Sequence, residues 1–280
     1  MMNNLDVFSR GIKSVRTPHF QRNSDIHTMA MIVEPGHWEE HDPFLLMAHD
    51  HMRSGVFGIH PHRGMETVTF LIDGNLNHYD SKHGTGVLHA GDAQWMTAGR
   101  GVEHLEDAAK GETVNLLQLW VNIPSGQKMS PSRYQDLRKT DMPVIHENGA
   151  EIRLFSGSLG DMATDTLNIA PVTMAEINME PGAAFKFDLP GSYNGFLYIL
   201  EGEGSFGSDS NLGKQGQVLW MGSAGTAERS EIKIEARSSM RVMLYAGEPI
   251  REPVVARGPF VMNTEQEIKQ AYSDYRNGKF

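Results

Sequence analysis

The chain contains no cysteine. That absence excludes disulfides, thiolate metal ligands and a cysteine nucleophile, and it suits a cytoplasmic location. Long apolar runs are missing too: no stretch approaches the roughly 20 apolar residues that a membrane helix needs. The start, Met1-Met2-Asn3-Asn4-Leu5-Asp6, has neither the basic segment nor the apolar run of a secretory signal. Positive charge is in short supply, with 25 Lys and Arg against 35 Asp and Glu, for a net charge of −10. That balance argues against a sequence-independent grip on nucleic acid or on an anionic membrane, which needs a basic face. Neither G-x-x-x-x-G-K-[ST] nor G-x-S-x-G occurs.

What remains is an ordinary globular composition, 39% hydrophobic and 21% charged, on a 280-residue chain long enough for two domains. Short apolar or alternating segments recur with Gly, Asn and Asp between them. The stretch Glu66-Thr67-Val68-Thr69-Phe70-Leu71-Ile72 is β-branched and aromatic and is closed by the turn pair Asp73-Gly74. Further strands are expected at 76–79, 86–89, 93–96, 102–105 and 114–123, and again at 152–155, 172–179, 195–200, 217–221, 231–236 and 240–246. Regular short strands of this kind indicate an all-β sandwich or barrel. Residues 124–143 are polar and read as the interdomain connection. At the C-terminus, Thr264 with Glu267 forms a capping box, and Ile268, Ala271, Tyr272 and Tyr275 fall on one helical face.

The histidines are unevenly spread. Ten of the 13 (His37, His41, His49, His51, His60, His62, His78, His83, His89 and His104) lie between residues 37 and 104. Two pairs stand out within this region, His60 with His62 and His104 with Glu106. In an extended strand, residues i and i+2 share a face, so each pair projects together. If the two strands face each other inside a barrel, three imidazoles and a carboxylate converge on one point. Such a set suits Fe(II), Mn, Ni, Cu or Zn, and in an octahedron it leaves two positions open for O2 and a bidentate substrate, which favours iron. Glu66 reads as a carboxylate supporting the site, with Arg63 as its candidate partner. His78, His83 and His89 read as loop histidines, and Trp95 and Met96 as barrel packing.

The two halves also repeat. The segment Phe70-Leu71-Ile72-Asp73-Gly74 matches Tyr198-Ile199-Leu200-Glu201-Gly202, and the segment from Gly91 to Gly99 matches that from Gly216 to Gly225. Opposite His104 and Glu106 the second copy carries Ser230 and Ile232, and opposite His60 and His62 it carries residues around Phe187-Asp188-Leu189-Pro190. The second copy is therefore expected to bind no metal. Gly202-Glu203-Gly204-Ser205-Phe206-Gly207 formally matches G-x-G-x-x-G, but no helix opens after it, so a dinucleotide site is not expected.

Several of these segments together resemble the pirin family of bicupins. They are Asp42-Pro43-Phe44-Leu45-Leu46, His60-Pro61-His62-Arg63-Gly64-Met65-Glu66-Thr67-Val68-Thr69, Gly91-Asp92-Ala93-Gln94-Trp95-Met96-Thr97-Ala98-Gly99-Arg100-Gly101, His104-x-Glu106, Leu117-Gln118-Leu119-Trp120-Val121-Asn122, Ala246-Gly247-Glu248-Pro249 and Gly258-Pro259-Phe260-Val261-Met262-Asn263-Thr264. The resemblance implies an all-β chain of two tandem cupin (antiparallel jelly-roll) barrels with a C-terminal helix. The N-terminal metal-binding domain would span 1–135, and a degenerate cupin domain with the terminal helix 136–280. It also implies one metal, usually iron, held by His60, His62, His104 and Glu106, with Glu106 also the catalytic base. The activity implied is that of a quercetin 2,3-dioxygenase, opening a phenolic flavonol with O2 and releasing carbon monoxide. The alternative it implies is an iron-dependent redox sensor that regulates a protein partner. A monomer is expected, since two linked cupins already supply the pairing that single cupins obtain by dimerising.

Overall fold

The computed structural model describes residues 7–82 and 84–280, so His83 lies outside the described residues. The chain is mostly strand, as the alternating segments require, and it forms two compact units. One unit comprises residues 19–141, 168–170 and 250–280. Its larger sheet runs in the order Arg133–Leu137, Ala93–Thr97, Met65–Asp73, Thr113–Asn122, Phe44–Arg53, His27–Val33 and Gln21–Ser24. Its smaller sheet runs His60–His62, Val102–Ala108, Asn75–Asp80 and Gly84–His89. Leu71 and Leu116 from the larger sheet pack with Leu76, Leu88 and Ala108 from the smaller one, which closes the sandwich around an apolar end.

The other unit, residues 7–18, 142–167 and 171–249, repeats the plan. A seven-stranded sheet ends on the edge strand Ile12–Arg16, and a five-stranded sheet pairs Ala184–Pro190 with Arg229–Ala236. A continuous core that includes Phe187, Leu189 and Ile232 joins them. The duplication extends to the backbone. Gly74 and Gly202 have φ of 90° and 78°, and Gly91 and Gly216 have 88° and 81°, so matched turns take matched conformations.

A division at residue 135 therefore places both termini in the wrong copy. Residues 12–16 hydrogen-bond to Val218–Met221 of the second copy, and the C-terminal helix Glu265–Arg276 belongs with the first. Residues 124–143 are no free connection either. Arg133–Leu137 pairs with Ala93–Thr97, and Lys128 is buried, its ammonium donating to Gly64 O, Asn122 Oδ1 and Val261 O. The polar composition that suggested a linker belongs to an edge strand, where one face meets water. The expected capping box is present, with Thr264 and Glu267 satisfying each other's first-turn groups.

In the second copy, Ser230 faces inward at the position matching His104, and it pairs across the sheet with Leu189. The guanidinium of Arg10, 1% exposed, occupies this end of the barrel. It donates to Ser230 Oγ at 2.8 Å, and to the carbonyls of Gly222, Pro190 and Gly191 at 3.0 Å each. Ser230, apolar side chains and one internal cation stand there in place of the candidate ligands. The G-x-G-x-x-G segment lies on a hairpin of Glu203–Phe206 with Asn211–Lys214 and opens no helix, as expected.

Candidate metal centre

The ligand strands are short because their surroundings dictate it. Pro61 has no N–H to donate to the sheet, and Gly64 ends the segment with φ of +80°. A Cβ at Gly64 would lie 2.0 Å from Val261 O, so only glycine can turn the chain there. The two strands do not face each other across the barrel. They are antiparallel neighbours in one sheet, with His60 directly opposite His104 and His62 opposite Val102. Along Val102–Ala108 burial alternates, so that His104 and Glu106 point inward with Val102 and Ala108, while Glu103 and Leu105 do not.

His60, His62 and His104 converge, each offering one ring nitrogen within 4.8 Å of the others. Nε2 of His60 lies 3.1 Å from Nε2 of His104. Two nitrogens bound at right angles to one first-row metal, at about 2.1 Å each, would be about 3.0 Å apart. Nδ1 of His60 donates to Gly58 O at 2.8 Å, which leaves the Nε2 lone pair aimed at the cluster. Nδ1 of His104 is buried with no hydrogen-bond partner among the described residues. Burial pushes the pKa of His62 down to about 3, with repulsion from His60 adding to it. Burial, then repulsion from His62, His60 and His78, holds His104 well below the ordinary histidine value. Neutral imidazoles are the form that binds metal, so the donor set fits a divalent first-row cation.

Glu106 stands one step along the same inward face but outside this cluster of three. Its carboxylate is held from the larger sheet. Gln118 Nε2 donates to Oε2 at 2.6 Å, and Thr69 Oγ1 lies 2.6 Å from Oε1. Burial raises the pKa of Glu106, against those two hydrogen bonds, and the nearby charge of Asp50 raises it further. Partners that orient a ligand side chain typically contribute 10–100-fold in metal affinity or activity. Gln118→Leu is accordingly expected to weaken metal binding about tenfold, measured by competition with a chromogenic chelator. Affinity unchanged in that variant would separate Glu106 from the metal.

Other parts of the sequence reading change. Arg63 is buried, and its partner is Asp274 at 2.9 Å, not Glu66. Its Nε also donates to Arg100 O at 2.6 Å, and its guanidinium lies 4.4 Å from the centroid of the Phe280 ring. Glu66, fully buried, accepts from Thr97 Oγ1 at 2.6 Å and from Ile169 N at 3.1 Å. His78 is no loop histidine. It is buried on Asn75–Asp80, stacked at 4.1 Å on Tyr134, with its ring 5.8 Å from that of His104. His89 is exposed on Gly84–His89. Trp95 and Met96 are buried, as are Trp220 and Met221, in keeping with packing. Trp120, edge-on to His62 at 5.2 Å, and Gln118 and Thr69 lie in segments that resemble the family, but the sequence reading assigned them no role at the site. Inward parity on strands paired with each other brings them to it.

Two jelly-roll units, one with three converging histidines and the other with none of them, define a bicupin with a candidate metal site in its first barrel. The family profile described as Pirin matches residues 18–121, and the Pirin C-terminal cupin domain matches residues 174–280. Pirin-1 of Arabidopsis thaliana is 40% identical over 240 residues, covering 85% of this chain and 83% of that protein. The chain belongs to the pirin family. A crystal structure from Geobacillus kaustophilus is 54% identical, with a TM-score of 0.87 over 89% of this chain and 100% of that one. A quercetin 2,3-dioxygenase from Acinetobacter baumannii is 29% identical, with a TM-score of 0.85 over 97% of this chain and 98% of that one.

Proposed function

We propose that the protein is a metal-dependent dioxygenase that opens a phenolic flavonol such as quercetin with O2. The observation that carries this reading is the converging trio of half-buried His60 and buried His62 and His104, with Glu106 next along the inward face of the His104 strand. The likeness to the Acinetobacter baumannii quercetin 2,3-dioxygenase supports it. His60, His62, His104 and Glu106 would hold the metal. Iron(II) is our assignment, because a thiolate-free set of imidazoles and one carboxylate leaves positions for two further ligands. Mn, Ni, Cu and Zn accept the same donors.

When bound, such a metal supplies Lewis acidity that lowers the pKa of a coordinated hydroxyl. The chain's own part is to orient the substrate, exclude water and take up the proton. We assign the last of these to Glu106, whose proton affinity burial raises and which hydrogen-bonds to Gln118 and Thr69. The neutral state of His62 and His104 keeps protons from competing for the ligand nitrogens.

The test is loss of quercetin absorbance under air after loading with Fe(II). Turnover is expected in the wild type, and a fall of about a hundredfold or more in His62→Ala. Absence of turnover in the loaded wild type, or equal turnover in His62→Ala, would remove the dioxygenase reading.

A further inference from the structure

Lys128 closes the short turn Ser125–Gln127 and is 1% exposed. An ammonium this deep is ordinarily paired with a carboxylate. Here its three donors go to three uncharged oxygens instead: Gly64 O at 2.7 Å, Asn122 Oδ1 at 2.7 Å and Val261 O at 3.1 Å. Only the ammonium form matches that set. A neutral amine has one N–H fewer, and it turns a lone pair toward one of the three acceptors.

These acceptors meet where the ligand segment comes closest to the C-terminal chain. Val261 O is the atom that a Cβ at Gly64 would strike. Val261 N donates to Arg63 O at 3.0 Å, and Arg63 N donates to Pro259 O at 3.3 Å. The Pro259 backbone also bears on the ring of His62. A buried lysine among carbonyls is ordinarily a staple of the fold. This one sits between two carbonyls pressed together, on the turn that directly follows His62-Arg63, so its proton state is felt where a ligand is held.

We propose that Lys128 positions His62 for metal binding, and that closing the site around a metal draws a proton onto its amine. The proposal rests on the metal reading of the histidine trio. The proton comes from solvent and forms the third N–H bond with the lone pair that would otherwise face an oxygen. Burial lowers the pKa of Lys128 to about 7, opposed by the charges of Glu252 and Glu267. Glu252 accepts from Ser125 N at 2.6 Å on the lysine's own turn, and Glu267 belongs to the cap of the C-terminal helix. Arg63, on the gripped turn, is met by Asp274. Above about pH 7 the unloaded protein therefore holds mostly the neutral amine, and loading must supply the proton. Burial already keeps His62 and His104 neutral, so they release no protons that would mask this uptake.

The test is calorimetric titration of Ni(II) into metal-stripped protein, in buffers of different ionisation enthalpy, which counts the protons exchanged. At about pH 8 the wild type is expected to take up about half a proton or more per metal beyond Lys128→Met, and at about pH 5 the two should agree. Lys128→Met should bind Ni(II) about tenfold more weakly at low pH, and the gap should close by about pH 9. Asn122 Nδ2 has no hydrogen-bond partner among the described residues, so Asn122→Asp gives up no bond. Its carboxylate would keep the ammonium charged with or without metal. That variant should retain wild-type affinity at low pH and lose the extra uptake at about pH 8. Equal proton counts in the wild type and Lys128→Met, with an affinity gap that does not change with pH, would leave Lys128 a passive staple and overturn the proposal. If Lys128→Met does not fold, undiminished uptake in Asn122→Asp overturns it. Either result leaves the metal reading standing, whereas a wild type that binds no Ni(II) removes both.

Discussion

His104→Ala is expected to abolish stabilisation by metal. His104 is the centre of the trio, 1% exposed, with its ring 4.5 Å from that of His60 and 4.9 Å from that of His62. A ligand present at a thousand times its dissociation constant stabilises the folded state by about 4 kcal/mol. For a domain of this size that is a rise in Tm on the order of 10 °C. Adding Ni(II), Mn(II) or Fe(II) to metal-stripped wild-type protein should produce a shift of that order in a thermal melt. His104→Ala should show none. Glu103→Ala is the control, because the neighbouring residue points to the other face of the same strand and should keep the full shift. A metal-induced shift retained in His104→Ala would mean that the trio is not the metal site.

The second large effect is expected at the far end of the chain. Asp274, on the C-terminal helix, accepts from Arg63, which directly follows the candidate ligand His62 and has a side chain 4% exposed. Removing one member of a buried pair leaves an uncompensated charge, and Asp274→Ala is expected to cost about 3 kcal/mol in urea melts. The double variant Arg63→Met with Asp274→Leu should recover most of that loss, since it leaves no charge behind. If the double variant is as unstable as the sum of the singles, the pair acts by packing alone. The pKa of Asp274 is depressed to about 2, first by the hydrogen bond from Arg63. A depressed carboxylate contributes stability that is present above its ordinary value of 3.8 and is lost as pH falls through about 2. The gap between wild type and Asp274→Ala should therefore close over that acid window. Arg63 also donates to Arg100 O, ahead of the strand that bears His104. Metal affinity should thus fall along with stability in Asp274→Ala.

Parity along a strand is a local property, and it identified what is local. His60 with His62, and His104 with Glu106, were legible because alternation survives in any extended segment. The repeat of Gly74 at Gly202 and of Gly91 at Gly216 was legible because tight turns demand the same residue in both copies. Pairing between distant segments leaves no such trace. Whether His60 and His104 stand across a barrel or side by side depends on strand order, which spacing does not encode. The partner of Arg63 lies 211 residues away, beyond any periodicity. His78 looked like a loop residue because Asn75–Asp80 mixes polar side chains on both faces, and only its contacts with Tyr134 and His104 reveal an inner position. Glu106 follows His104 on the same inward face, and its hydrogen bonds to Gln118 and Thr69, set by strand pairing, left no trace in the spacing.

Arg10 bears on what each barrel needs from its surroundings. A metal held by the first copy would be on loan, exchangeable with the medium and open to competition from any chelator. The second copy has a guanidinium built into its own chain, tying Ser230 to the carbonyls of Gly222, Pro190 and Gly191. No dialysis can remove it, and no shortage of trace elements can leave that position empty. Metal starvation should therefore affect the first barrel selectively. Hydrogen exchange on stripped and loaded protein would then show protection changing around His60 and His104 and holding steady around Ser230.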